Sequence, residues 1–284
     1  MTLRSYWRTV RLYYKAEALG LYRAAFLNHR AAWCFPFAGR GAFVPRRGGK
    51  TVVVPRAHWD MLATASRLVL LGAQPAWGET GLEVSYAGLC LAAPPTSKML
   101  SASLREIFVE DAYHIGGRDL AGKTVVDIGA YIGDSSLAYA ARGARVHAFE
   151  PLPRFRPYLE RNVEVNGMRD RITVHPVGLG DADRSVRVPI ETGSEEARFV
   201  QAVEYLRAAN IAGIDILKMD CEGCEYGLLG DRRFLDQLRP EQIALEYHRG
   251  GEPLRETLGR LGYEVEWPRQ TAPVGLMYAR RLQK

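Results

Sequence analysis

Two groups of residues in this 284-residue chain have the types and spacing of a reactive site. The first is Asp127-Ile-Gly129-Ala-Tyr-Ile-Gly133, answered by Glu150-Pro151 about 20 residues beyond the turn. Glycine lets a backbone pass close to a ligand. A helix opening behind Gly133 would offer its first N–H groups, and an acid at a strand end accepts hydrogen bonds from ribose hydroxyls. Together these features predict a site for an adenosine-containing cofactor, drawn from Asp127, Gly129, Ala130, Tyr131, Gly133, Asp134, Ser135, Glu150 and Pro151. The glycine spacing is G-x-x-x-G, not the G-x-G-x-x-G of nicotinamide enzymes.

The second group is Lys218-Met-Asp220-Cys-Glu222-Gly-Cys-Glu225, followed by Glu246 and His248. The i, i+2 spacing puts Glu246 and His248 on one face of a strand. A neutral imidazole is a suitable base for a hydroxyl group. His248 is the histidine that falls at the reactive edge, because His147 and His175 lie within strands and His29, His58 and His114 precede the core. Lys218, Asp220, Glu222 and His248 are therefore the catalytic candidates. The plain alternatives are helix-start acids favoured by the dipole and a structural strand-end histidine. Cys221 and Cys224 have CxxC spacing, yet no second pair completes a zinc site, and neither redox nor zinc chemistry is assigned. Paired carboxylates also suit Mg²⁺, but no octahedral set is evident and no metal is assigned.

The elements that must position these groups alternate strand and helix. Thr124 to Ile128 and Arg145 to Phe149 read as buried strands flanking a helix from Asp134 to Ala141, which implies a parallel sheet. Leu152 to Asn166 is a predicted helix and Ile172 to Val177 a third strand. The flexible turn Val177-Gly178-Leu179-Gly180 follows, a place for an adenine ring that adds Val177 and Gly178 to the cofactor set. Ser185 to Pro189 reads as an extra strand and Phe199 to Ala209 as a helix. Strands at Ile214 to Met219 and Gln242 to Tyr247 then deliver the second group to the same edge, where ligands of open α/β sheets bind. Leu254 to Leu261 is a helix, and Tyr263 to Trp267 with Gly275 to Arg280 closes the sheet as an antiparallel pair. Upstream, helical spacing runs from Tyr6 to Trp33, Phe37 to Lys50 reads as a loop, Thr51 to Val54 as a strand and Trp59 to Leu71 as a helix. Gln74 to Gly81 reads as a linker, Leu82 to Leu91 as a hairpin, and Ser103 with Glu106 as a capping box opening a helix to His114. The hairpin and that last helix are expected to cover the site.

Composition, 47% hydrophobic and 25% charged, is that of an ordinary globular protein. Four scattered cysteines do not make a disulfide scaffold and favour a reducing compartment. No run of about 18 uncharged apolar residues suggests a transmembrane helix. The N-terminus, with Arg4, Arg8, Arg11 and Lys15, lacks a signal-peptide core, so a cytoplasmic location is expected. Residues 1–70 hold twelve Lys and Arg against Glu17 and Asp60, a balance of +10 within a chain of +6, which leaves −4 for the rest. Such a segment suits RNA, an anionic surface or a phosphorylated substrate, and equally a solvated arginine-rich surface. Two regions are expected: a basic, largely helical 1–80 and a catalytic 81–284.

Asp-x-Gly-x-x-x-Gly resembles the first motif of class I S-adenosylmethionine methyltransferases. From about Leu82 onward the chain is similar to the FkbM family, through VVDIGAYIGDSSLAYA, AFEPLP, NVEVNG, VGLGD, IDILKMDCEGCEYGLL and ALEYH in that order. The resemblance implies a Rossmann-like α/β fold with a seven-stranded, mostly parallel sheet and helices on both faces, here with a basic N-terminal extension. It implies S-adenosylmethionine as cofactor, with Asp127 helping to hold its amino-acid end, and O-methylation of a hydroxyl on a sugar, lipid or other small metabolite. The first alternative is an RNA methyltransferase acting through the basic region, although no Asn/Asp-Pro-Pro-aromatic motif follows the fourth strand. The second is a non-catalytic binding protein on the same scaffold, against which the intact cofactor motif argues.

Overall fold

The computed structural model describes residues 16–33, 40–78, 81–190, 193–268 and 272–282, which fall into two compact units, Met1–Glu106 and Ile107–Lys284. The division comes within a helix.

In the first unit, α1 (Ala16–Ala25) stops where Asn28 turns its side chain to a neighbouring strand. The Asn28 amide donates to Ala42 O and accepts from Val44 N, each at 2.8 Å. The remainder of the expected helix, before Ala16, lies outside the described residues. The predicted Phe37–Lys50 loop contains a strand, β1 (Arg40–Phe43), paired antiparallel with β2 (Val52–Pro55). Small Gly41 and Ala42 disguise its alternation, which buries Phe43 against Phe26 at 5.2 Å between ring centroids. A 3₁₀ turn, Arg56–Met61, leads into α2 (Leu62–Leu71), ended by left-handed Gly72. The predicted linker is likewise a strand. β3 (Gln74–Gly78), β4 (Gly81–Tyr86) and β5 (Leu89–Ala93) form an antiparallel sheet, and β3 tolerates Pro75 because it is an edge. Helix α3 (Leu100–Phe108) starts before the predicted Ser103 cap and ends before His114. Beyond it, Asp111 Oδ1 accepts Ile115 N at 2.6 Å and Gly116 N at 2.8 Å, a local turn that competes with helix. Two of the unit's basic side chains hold backbone: Arg46 Nε donates to Arg23 O at 2.6 Å and Arg47 Nη1 to Leu70 O at 3.2 Å.

The second unit is built on β6 (Thr124–Ile128), α4 (Asp134–Ala141) and β7 (Arg145–Phe149), then α5 (Arg156–Val165) and β8 (Ile172–His175). The predicted flexible turn is instead β9 (Gly178–Gly180), buried and parallel to β11 (Gly193–Gln201), which pairs in turn with β10 (Arg184–Ile190). Phe199–Gln201 thus belong to a strand, and α6 (Ala202–Ala208) starts after them because the Gln201 side chain caps Glu204 N at 2.7 Å. Next come β12 (Ile216–Met219), α7 (Cys224–Gly230), α8 (Arg232–Leu238), β13 (Gln242–Tyr247), α9 (Glu252–Arg260), β14 (Tyr263–Glu266) and β15 (Gly275–Arg281).

The seven-stranded sheet has the order β14-β15-β13-β12-β6-β7-β8, and β15 alone runs antiparallel to its neighbours. This is the α/β, mostly parallel Rossmann-like fold expected. Val126, Leu217, Met219, Ile243 and Leu245 are sealed on the central strands, and Phe234 and Leu238 pack from α8. Burial on both faces explains why these strands read as continuous apolar runs. Among the described residues, no helix is long and apolar enough to cross a membrane.

Candidate active site

The carboxyl ends of β6 and β7 form the first half of the site. Gly129, Tyr131 and Gly133 take left-handed φ values of 81°, 52° and 87°, so the chain doubles back before α4. A side chain at Gly129 would run into Asp220 O, 1.8 Å from an ideal Cβ, so this glycine lets the turn lie against the end of β12. Gly133 likewise makes room for Leu159.

Asp127 lies beneath the turn and is fully buried. Its Oδ2 accepts the Ser135 and Ser136 hydroxyls at 2.7 and 2.6 Å, and its Oδ1 lies 3.0 Å from Lys218 Nζ. In the structure it anchors the turn from below. Asp134 and Ala130 are buried as well. Glu150, 4% exposed, accepts Tyr131 N at 2.8 Å on one oxygen and Leu152 N at 2.7 Å on the other. Burial raises its carboxyl to about 7, against the lowering pull of those two N–H groups and of Lys218. Val177 is buried just before β9, and Gly178, buried in β9, makes room for the Phe199 ring.

The second half lies at the ends of β12 and β13. Lys218 is directly opposite Asp127 in the strand register and is buried with it, donating to Gly129 O at 2.9 Å. It stands under the Gly129–Gly133 turn and not among Asp220, Glu222 and His248. Asp220, Glu222 and His248 do converge: His248 Nε2 is 3.8 Å from Asp220 Oδ1 and 3.6 Å from Glu222 Oε2. Behind the imidazole, the fully buried Glu225 holds His248 N and Nδ1 through Oε1, both at 3.1 Å, and Gly223 N through Oε2 at 2.9 Å. This pairing places the Nδ1 proton against the carboxylate and leaves the Nε2 lone pair facing outward. Burial pulls the His248 pKa down, but Glu225, then Glu222 and Asp220, outweigh it and hold the imidazole above its ordinary value. Tyr113 donates its hydroxyl to Asp220 Oδ2 at 3.1 Å, and burial with the Asp220 and Glu246 charges keeps that phenol protonated far above its usual range.

Sequence reasoning missed Tyr113 because it is remote in the chain from both motifs, in an irregular segment. Glu225 was legible as an acid at this edge but not as the buried partner of His248. The reading of the cysteines also changes: Cys221 and Cys224 are joined by a disulfide with a Cα–Cα distance of 5.5 Å. The sharp turn between them, with Glu222 and Gly223 at φ 56° and 113°, brings the sulfurs together.

Residues 127–265, which hold both halves of this site, match the family model of the methyltransferase FkbM domain. The chain carries an FkbM methyltransferase domain. Among its relatives, the AMB antimetabolite synthetase AmbE of Pseudomonas aeruginosa is 34% identical over 166 residues, 56% of this chain and 8% of that protein. The tRNA wybutosine-synthesizing protein 2 homolog of Danio rerio is 37% identical over 95 residues, 31% of this chain and 23% of that protein. The chain thus spans less than a quarter of the length of either curated relative. The crystal structure of methyltransferase FkbM from Methylobacillus flagellatus KT is similar at 22% identity and a TM-score of 0.42, over 67% of this chain and 56% of that one. The matched model is that of a methyltransferase domain, for which the sequence leads one to expect S-adenosylmethionine as cofactor. The residues present fit that cofactor: each Glu150 oxygen accepts one N–H and keeps a lone pair for a ribose hydroxyl.

Proposed function

We propose that the domain O-methylates a hydroxyl group of a small acceptor, a sugar, lipid or other metabolite, and that His248 activates that hydroxyl. When bound, S-adenosylmethionine supplies a methyl group already made electrophilic by its sulfonium, so the protein has to align, exclude water and move one proton. Glu150 and the Gly129–Gly133 turn hold the adenosine end, and Asp127 with Lys218 keeps the turn rigid from beneath. Asp220 and Glu222 accept hydrogen bonds from the acceptor's hydroxyls. The His248 Nε2 lone pair takes the proton of the reacting one.

The observation that carries this reading is the Glu225–His248 pair. A buried carboxylate fixing Nδ1 is what an imidazole needs in order to present Nε2 as a base. The test is His248→Gln, compared with wild type for methyl transfer and for cofactor binding. A kcat loss of about 10²–10⁴-fold with unchanged cofactor affinity supports the assignment. Equal activity in the variant overturns it.

A further inference from the structure

Beside Asp220 and His248 the same edge holds Glu246, which the acid–base reading does not use. Asp220 at the end of β12, and Glu246 and His248 at the end of β13, bring two carboxylate oxygens and one imidazole nitrogen within 4.8 Å of one another. Two contacts orient these atoms inward. Tyr113 holds Asp220 Oδ2, which leaves Oδ1 on the His248 side. Glu225 holds His248 Nδ1, which leaves Nε2 as the donor atom. A carboxylate behind a histidine, fixing its tautomer and raising its basicity, is the usual support of a metal-ligating imidazole. The neighbouring Cys221, Cys224 and Glu225 group is no rival, because the two sulfurs are joined to each other.

We propose that Asp220, Glu246 and His248 bind a divalent cation of the Mn²⁺ class. Two carboxylates and one imidazole carry too much oxygen for a structural zinc site, while the nitrogen ligand favours Mn²⁺ over Mg²⁺. Ligands about 2.1 Å from one ion stand about 3 Å apart, so the three side chains close by roughly 1–2 Å on binding. Three protein ligands leave positions for water and for the acceptor hydroxyl, whose proton becomes easier to remove once its oxygen meets the cation. This rests on the methyl transfer proposed above but changes the task of His248: with the cation bound the imidazole is a ligand and not the base, and the acceptor proton leaves to Glu222 or to water.

The binding itself is measured without cofactor or acceptor. The full chain is stripped with EDTA, exchanged into chelator-free buffer and titrated with Mn²⁺, with free Mn²⁺ read by electron paramagnetic resonance. The expected result is one saturable Mn²⁺ per chain, weakened at least ~10-fold by Glu246→Gln at unchanged thermal unfolding. If Glu246→Gln does not fold, Asp220→Asn gives the same reading. Absence of saturable binding, or binding that the folded variant leaves unchanged, overturns the site. Mn²⁺ bound by a chain that transfers no methyl group would keep the cation site and remove the proposed reaction.

Discussion

Lys218 Nζ lies 3.0 Å from Asp127 Oδ1, with the two side chains only 3% and 0% exposed, and this contact ties β6, which leads into the Gly129–Gly133 turn, to β12. The two residues are register partners on adjacent parallel strands, so each motif supplies the counter-ion of the other. Removing one partner leaves a buried, uncompensated charge. Lys218→Ala is expected to cost about 3–5 kcal/mol, and the double variant Asp127→Asn, Lys218→Met to recover a substantial part. Urea unfolding midpoints of the three proteins check this.

As the proposed partner of the ribose hydroxyls, Glu150 should give cofactor binding a pH dependence. Its carboxyl, held at about 7, is protonated below that value and loses acceptor capacity for ribose hydroxyls. Affinity for S-adenosylmethionine is therefore expected to weaken as pH falls from 8 to 6, by up to ~10-fold. Calorimetric titration across that range measures it, and Glu150→Gln should flatten the curve.

As the proposed base, His248 should set the lower limb of the rate profile. The imidazole works only when neutral, and Glu225 with the neighbouring acids holds its pKa above the ordinary value. The rate should accordingly rise with pH through a midpoint above about 6.5. Glu225→Gln removes the largest charge contribution, so the limb should move to lower pH. A limb that stays in place in Glu225→Gln would separate it from His248.

The Cys221–Cys224 disulfide closes a loop of four residues, for which chain entropy gives only about 2 kcal/mol of stabilisation. Its main effect is local, on the Asp220–Glu225 segment that carries Glu222. Reduction, or Cys224→Ser, is expected to raise the acceptor KM while leaving cofactor affinity unchanged. Steady-state kinetics with and without reductant test this.

The central sheet was legible because its strands are sealed on both faces. Thr124–Ile128, Gln242–Tyr247 and the closing antiparallel pair announce themselves through apolar runs and strand-end acids. The first unit was less legible, since β1 and β3 are short, carry Gly or Pro, and owe their existence to partners elsewhere in the chain. The Phe199 helix failed for the same reason: β11 is held by β9 and β10, and local periodicity cannot report such pairing. At the site, the side chains at strand ends were readable from spacing. The buried partners were not. Tyr113 reaches Asp220 across 107 positions, and the Asp127–Lys218 contact was hidden because register, not motif, brings the two face to face.

The most direct test of the account is transfer of labelled methyl from S-adenosylmethionine into an extract of source cells, followed by size fractionation with and without ribonuclease. The account predicts label in a small-molecule, glycan or lipid fraction, insensitive to ribonuclease, recovered as a methyl ether, and lost with His248→Gln. Label released as methylated nucleotides would contradict it and would give the basic first unit an RNA substrate to hold.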